Sequence, residues 1–263
     1  MSAGQLALIG LAGFAAGAVN AIAGGGTLLS FPALLATGLP AVAANVTSTI
    51  ALCPGYLGAT LAQRADLAGQ RIRVLSLLPA AIAGGLIGAA LLLHTSAARF
   101  TALIPWLLLL ACALLAAQES LRTVLALRMA RNLGGILRDP ARVLVPGLPL
   151  GIAVAAVYGG YFGAGMSVLL LAVLGLGCTD TLPRLNALKQ LLALGANFSA
   201  ALWLAFTAQV DWKLVAVLAA GALAGGAVGG RVARRLSAWW LRRIVVAFGL
   251  ALALFYLLRH SER

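Results

Sequence analysis

Charge is what this chain has least of. Only 10% of its 263 residues are Asp, Glu, Lys or Arg, 62% are hydrophobic, and mean hydropathy is +1.03. A soluble domain needs roughly a quarter of its residues charged, so a soluble globular fold is excluded. Acidic residues are scarcest. There are six (Asp66, Glu119, Asp139, Asp180, Asp211 and Glu262), all in or beside connections between apolar runs. That argues against a buried carboxylate relay for protons and against a hydrolytic enzyme. Cys53, Cys112 and Cys178 stand far apart, with no CxxC or Cys/His spacing. Neither a disulfide framework, a metal site nor a cofactor is expected.

What the chain has is long apolar runs, several near the roughly 20 residues a helix needs to cross a bilayer. They are continuous rather than alternating, which excludes a β-barrel. The fold class is an all-α polytopic membrane protein. The N-terminus, MSAGQLALIG, lacks a basic region and reads as the start of the first membrane segment.

The net charge of +13 comes from nineteen basic residues, all but Lys189 and Lys213 arginine, mostly in short connections. That pattern sets topology in a bilayer and gives no reason to expect nucleic acid. The expected partners are the lipid bilayer and a small solute; a homo-oligomer is compatible with the sequence.

Eight apolar segments are expected, at about 6–36, 42–62, 74–93, 102–117, 143–174, 185–206, 214–233 and 244–258. The first is interrupted by Gly24, Gly25 and Gly26, the second by Pro54-Gly55, and the fifth by glycines between 159 and 165. This divides the chain into a first transmembrane repeat, 1–117, a basic cytoplasmic linker, 118–142, and a second repeat, 143–263. The halves match residue by residue: Gly84, Gly85 and Gly88 with Gly225, Gly226 and Gly229, and Asn45 with Asn186, at a separation of 141. The glycine breaks match at 139. Repeats with paired broken helices are a common plan of secondary transporters.

Equivalent loops carry opposite charge bias. The loop after segment two has Arg64, Arg71 and Arg73, while its counterpart has only Lys213. The loop after segment three has Arg99, while its counterpart has five arginines. Inverted repeats would produce this reversal, with one broken element per half re-entrant. Thirteen basic residues would then face the cytoplasm against four, leaving Arg184 unplaced.

The stretch 17–48 holds most of the candidate chemistry. Three consecutive glycines should end one helix, and the helix resuming at Thr27 offers free N–H groups and the positive end of its dipole to an anion. GGGT is not a nucleotide-binding loop, because it lacks GxxxxGK[ST]. Asn20 precedes the break by one turn. Asn45, Thr47 and Ser48 place neutral donors and acceptors in an apolar run. The second half supplies Gly160, Gly163 and Gly165, then Asn186 and Lys189 one turn apart on one helix face. An ionisable residue in a membrane segment is a site candidate, although snorkelling or pairing with Asp180 would equally account for Lys189. Gly13/Gly17, Gly84/Gly88 and Gly225/Gly229 read as close helix packing, and Asn197 as a link between helices.

The run Gly17-Ala18-Val19-Asn20-Ala21-Ile22-Ala23-Gly24-Gly25-Gly26 is followed by Pro32, Gly38-Leu39-Pro40 and Ala44-Asn45-Val46-Thr47-Ser48. The second half has Tyr158-Gly159-Gly160-Tyr161-Phe162-Gly163-Ala164-Gly165. Together these motifs resemble the sulfite exporter TauE/SafE family of bacterial membrane permeases. The resemblance implies a multi-pass protein of the bacterial inner membrane that moves sulfite, sulfonates or related small anions. It emphasises Asn20, Gly24, Gly25, Gly26, Thr47 and Ser48, and Gly160, Gly163, Gly165, Asn186 and Lys189. Asn45-Val46 stands where members commonly show a glycine before Thr-Ser. The expected function is a secondary transporter of a small anion, with both broken regions meeting near the midplane around one site. An anion channel and a non-transporting membrane scaffold are the alternatives.

Overall fold

The computed structural model describes residues 3–22, 24–132, 146–232 and 238–261. Among them are ten α-helices and no strand: α1 Ala3–Ile22, α2 Thr27–Ala36, α3 Ala41–Ala62, α4 Arg71–His94, α5 Ala97–Asn132, α6 Leu148–Tyr161, α7 Met166–Gly177, α8 Leu182–Thr207, α9 Trp212–Val232 and α10 Ala238–Ser261. A short 3-10 turn, Arg64–Leu67, joins α3 to α4.

The first and fifth apolar segments each divide in two, into α1/α2 and α6/α7, at their glycines. The second does not divide. Pro54 is half-buried inside an unbroken α3, as membrane helices tolerate proline through local adjustment of the freed backbone groups. Helix α5 also outruns its expected end at 117 and reaches Asn132. The added residues contain no Gly or Pro and are mostly good helix formers. The rest of the expected linker, from 133 on, lies outside the described residues.

Contacts fix the direction of each helix. Gly151 lies against Val173, Gly159 against Met166 and Gly177 against Leu148, so α6 and α7 form an antiparallel hairpin. At 14 residues, α6 spans roughly 21 Å, short of the ~30 Å hydrocarbon core. Helix α2 likewise turns back on α1, since Gly26 meets the carbonyl of Ala16. Helix α3 runs antiparallel to α8, with Thr49 and Cys53 beside Asn197 and Gln63 beside Asn186. Helix α5 runs antiparallel to α10, with Glu119 beside Arg242 and Cys112 beside Gly249. Helices α3 and α8, and α5 and α10, thus run oppositely.

Lipid tails are as apolar as leucine, so close packing must hold these helices together. Gly13 and Gly17 of α1 sit on Leu218 and Ala222 of α9, and Gly225 meets Phe14. Gly84 and Gly88 of α4 sit on Ala153 and Val157 of α6. A Cβ on any of them would fall within 2.4 Å of a neighbouring carbonyl oxygen. Leu11, Leu75, Leu150 and Phe206 point outward, 64–84% exposed, as lipid-facing side chains do.

The same directions gather arginine at one end. The α3–α4 connection, the end of α5, the α7–α8 connection and the start of α10 all lie there. Arg184, unplaced by loop charge, joins them by donating to Ala68 O at 2.8 Å.

Candidate functional site at the meeting of two helix breaks

The two breaks touch. A Cβ on Gly24 would come 2.7 Å from Ser167 Cβ, and one on Gly163 would come 3.5 Å from Thr27 Oγ1. Phe31 and Phe162 stack edge-on beside them, ring centres 5.5 Å apart. Helix α2 starts at Gly26 and α7 at Gly165, and neither N-cap has a capping side chain. The Leu28 and Leu29 N–H groups of α2 and the Met166 and Val168 N–H groups of α7 already donate to carbonyls of the breaks, so what both helices bring to the junction is the positive end of the dipole.

The three glycines of the first break serve different ends. Gly24 alone is left-handed, at φ +79°. Gly25 faces the tip of Leu115, and a Cβ on Gly26 would fall 2.4 Å from Ala16 O. In the second break Gly163 and Gly165 are both left-handed, at +85° and +84°. Gly160 lies away from the junction, packed on Gly85 of α4.

Polar groups brace the junction. Asn45 Nδ2 donates to Tyr161 O at 2.8 Å, capping the end of α6 from the other half. Tyr158 OH donates to Ala164 O at 2.7 Å across the second break. Ser30 and Ser48 hydroxyls lie 2.6 Å apart, joining α2 to α3. Asn20 is buried, lies next to Gly26 and hydrogen-bonds Tyr56. Among the described residues of α3 and α7, Thr47 Oγ1, Ser167 Oγ and Asn45 Oδ1 are buried without a hydrogen-bond partner. Ser167 carries a signal in the sequence that the matching of the halves passes over. It is a hydroxyl in the first turn after a glycine break, as Thr27 is, but shifted by one residue.

Lys189 and Asn186 lie elsewhere. Lys189 Nζ donates to Asn186 Oδ1 at 2.8 Å, and Asn186 Nδ2 to Gln63 Oε1 at 2.6 Å. Gln63 caps the far end of α3 from Asn45, eighteen positions or roughly 27 Å along a helix axis. The antiparallel register therefore separates two residues that alignment pairs. Asn45 serves the junction and Asn186 serves the basic end. Lys189 is 4% exposed and does not pair with Asp180. Asp180 pairs instead with Arg73, whose side chain is fully buried, and with Arg184 at 2.9 Å. Burial alone would raise the Asp180 carboxyl, but the Thr181 N–H, Arg184 and Arg73 outweigh it and hold it below the usual carboxylate value. Asn197 links helices, donating to Thr49 O at 3.0 Å.

Comparison with known proteins agrees with this architecture. The profile of the family described as Sulfite exporter TauE/SafE matches residues 9–256. A "Probable membrane transporter protein" of Haemophilus influenzae is 27% identical over 246 residues, covering 92% of this chain and 90% of that protein. A "Probable membrane transporter protein ORF9" of Sinorhizobium sp. is 27% identical over 255 residues, covering 95% and 91%. No solved structure matches. The chain belongs to the sulfite exporter TauE/SafE family and is a multi-pass membrane transporter of the bacterial inner membrane.

Proposed function

We propose that the protein is a secondary transporter of a small anion, sulfite or another sulfur oxyanion or an organosulfonate, and that the meeting of the breaks is its binding site. The observation that carries this reading is the mutual contact of Gly24 with Ser167 and Gly163 with Thr27. Two helix N-termini without a capping side chain converge there, with the unpartnered hydroxyl of Ser167 at the contact and that of Thr47 on the neighbouring α3. Hydroxyl donors suit an oxyanion, and the helix dipoles add positive potential without a fixed cation.

The opposite run of α3 and α8, and of α5 and α10, supports a pair of inverted repeats rocking about this junction. Each half then contributes a re-entrant hairpin, α1/α2 or α6/α7. The gathering of arginine at one end supports a cytoplasmic location for that end. Lys189 becomes a second station, met by the anion between the junction and the basic end.

Flux of radiolabelled sulfite and of an organosulfonate into proteoliposomes tests the reading. Saturable uptake, accelerated by anion on the opposite side, is expected of a transporter. Ser167→Ala and Thr47→Val should each lower uptake at least tenfold. Wild-type uptake in both would remove the junction as the site, and uptake linear in concentration would indicate a channel.

A further inference from the structure

Arg242, near the start of α10, is 4% exposed. Its Nη1 donates to Glu119 Oε2 of α5 at 2.7 Å. Its Nε and Nη2 are buried and have no hydrogen-bond partner. These two nitrogens form the side-on fork of a guanidinium, the edge whose parallel N–H bonds fit a phosphate or carboxylate bidentately. The Glu119 contact therefore occupies the less selective nitrogen and leaves the selective edge unused.

The surroundings are cationic. Arg122, one turn along α5 from Glu119, acts electrostatically on both Glu119 and Arg242, and Lys189 in turn feels Arg122. Two guanidiniums thus share one carboxylate, and that carboxylate is mostly solvent-facing, at 58% exposed. Buried guanidinium donors without acceptors are rare because water they have lost is not replaced. An ion pair built only for stability would satisfy Arg242 fully. An anion seated on the fork would satisfy both nitrogens and balance the second guanidinium.

We propose that the Nε–Nη2 edge of Arg242, with Arg122 at its rim, is a binding site for a tetrahedral phosphate-type oxyanion at the basic end of the bundle, between α5 and α10. Two sources share that chemistry: the phosphate of an anionic lipid headgroup, which basic pockets between membrane helices commonly receive, and free inorganic phosphate. The site uses no residue of the junction and stands whether or not sulfite is the transported solute.

The test is native mass spectrometry and thermal unfolding of the detergent-purified full chain. One arm adds phosphatidylglycerol, with phosphatidylcholine as control. The other adds inorganic phosphate, with chloride at equal ionic strength as control. Retention of phosphatidylglycerol over phosphatidylcholine, or a phosphate-specific rise in unfolding temperature, supports the site and identifies the source. Arg242→Gln should abolish the effect, and Arg122→Gln should weaken binding at least threefold. Glu119→Gln, an exposed change that relieves the competing carboxylate, should tighten it. Should Arg242→Gln fail to fold, the opposite signs expected for Arg122→Gln and Glu119→Gln still decide. No specific binding in either arm, or equal binding in the wild type and these variants, overturns the proposal.

Discussion

Asn45 of α3 donates a hydrogen bond from Nδ2 to the main-chain oxygen of Tyr161, 2.8 Å away at the end of α6. One side chain of the first half thereby completes the backbone of the second half's break. Asn45→Leu strands that carbonyl in a part-buried position. The expected loss is about 1–2 kcal/mol, read as a lower thermal midpoint in detergent. An unchanged midpoint would mean that another donor reaches Tyr161.

Gly24 and Gly25 are adjacent but not equivalent. Gly24→Ala meets both a left-handed φ of +79° and Ser167 Cβ at 2.7 Å. The backbone term alone costs roughly 1–2 kcal/mol. Gly25→Ala meets only the flexible side chain of Leu115, its methyls at 2.6 and 3.3 Å, with no backbone atom in the way. Folded yield and uptake should fall severely for Gly24→Ala and mildly for Gly25→Ala. Equal effects would show that the break tolerates no side chain anywhere.

Lys189 and Thr47 offer a test of one pocket against two stations. The ammonium lies with Asn186 and Gln63, at the opposite end of α3 from Asn45. Transport losses in Lys189→Met and Thr47→Val should then add within about 0.5 kcal/mol in a double-mutant cycle. Strong coupling would place both groups on one bound anion.

Asp180 ties α4 to the α7–α8 connection through Arg73 and Arg184. Its carboxyl titrates below the usual carboxylate value. A depressed folded value means that the stabilisation is complete above the unfolded pKa, about 3.9. It is lost as pH falls through the folded value. The thermal midpoint should therefore drop below about pH 4 in the wild type. In Asp180→Asn it should be lower at neutral pH and flat across that acid window. A variant that keeps the wild-type acid dependence would assign it to another carboxylate.

The position of the arginine-rich end is open to direct labelling. In a background without Cys53, Cys112 and Cys178, cysteines placed at Ala68 and Thr179 should react from one side of the membrane. Those placed at Ser96 and Ala208 should react from the other. Ala68 and Thr179 labelled from opposite sides would contradict the packing of α4 on the α7–α8 connection.

The sequence alone determined the membrane class, because 62% hydrophobic residues with so little charge leave no soluble solution. It also determined where two apolar segments break. Glycine content and residue spacing are local properties. In α3, Pro54 looks like a break but is absorbed, because a membrane helix can continue through a missing N–H when its surroundings re-satisfy the backbone. What only the tertiary structure decided was which candidates meet. Alignment pairs Asn45 with Asn186, yet the antiparallel packing of α3 on α8 sends them to opposite ends. Ser167 stands one residue out of step with Thr27 and still arrives at Gly24. Spacing along the chain fixes which face of a helix a side chain shares. The direction and register of helices, set by glycine contacts far apart in sequence, fix which faces share a site.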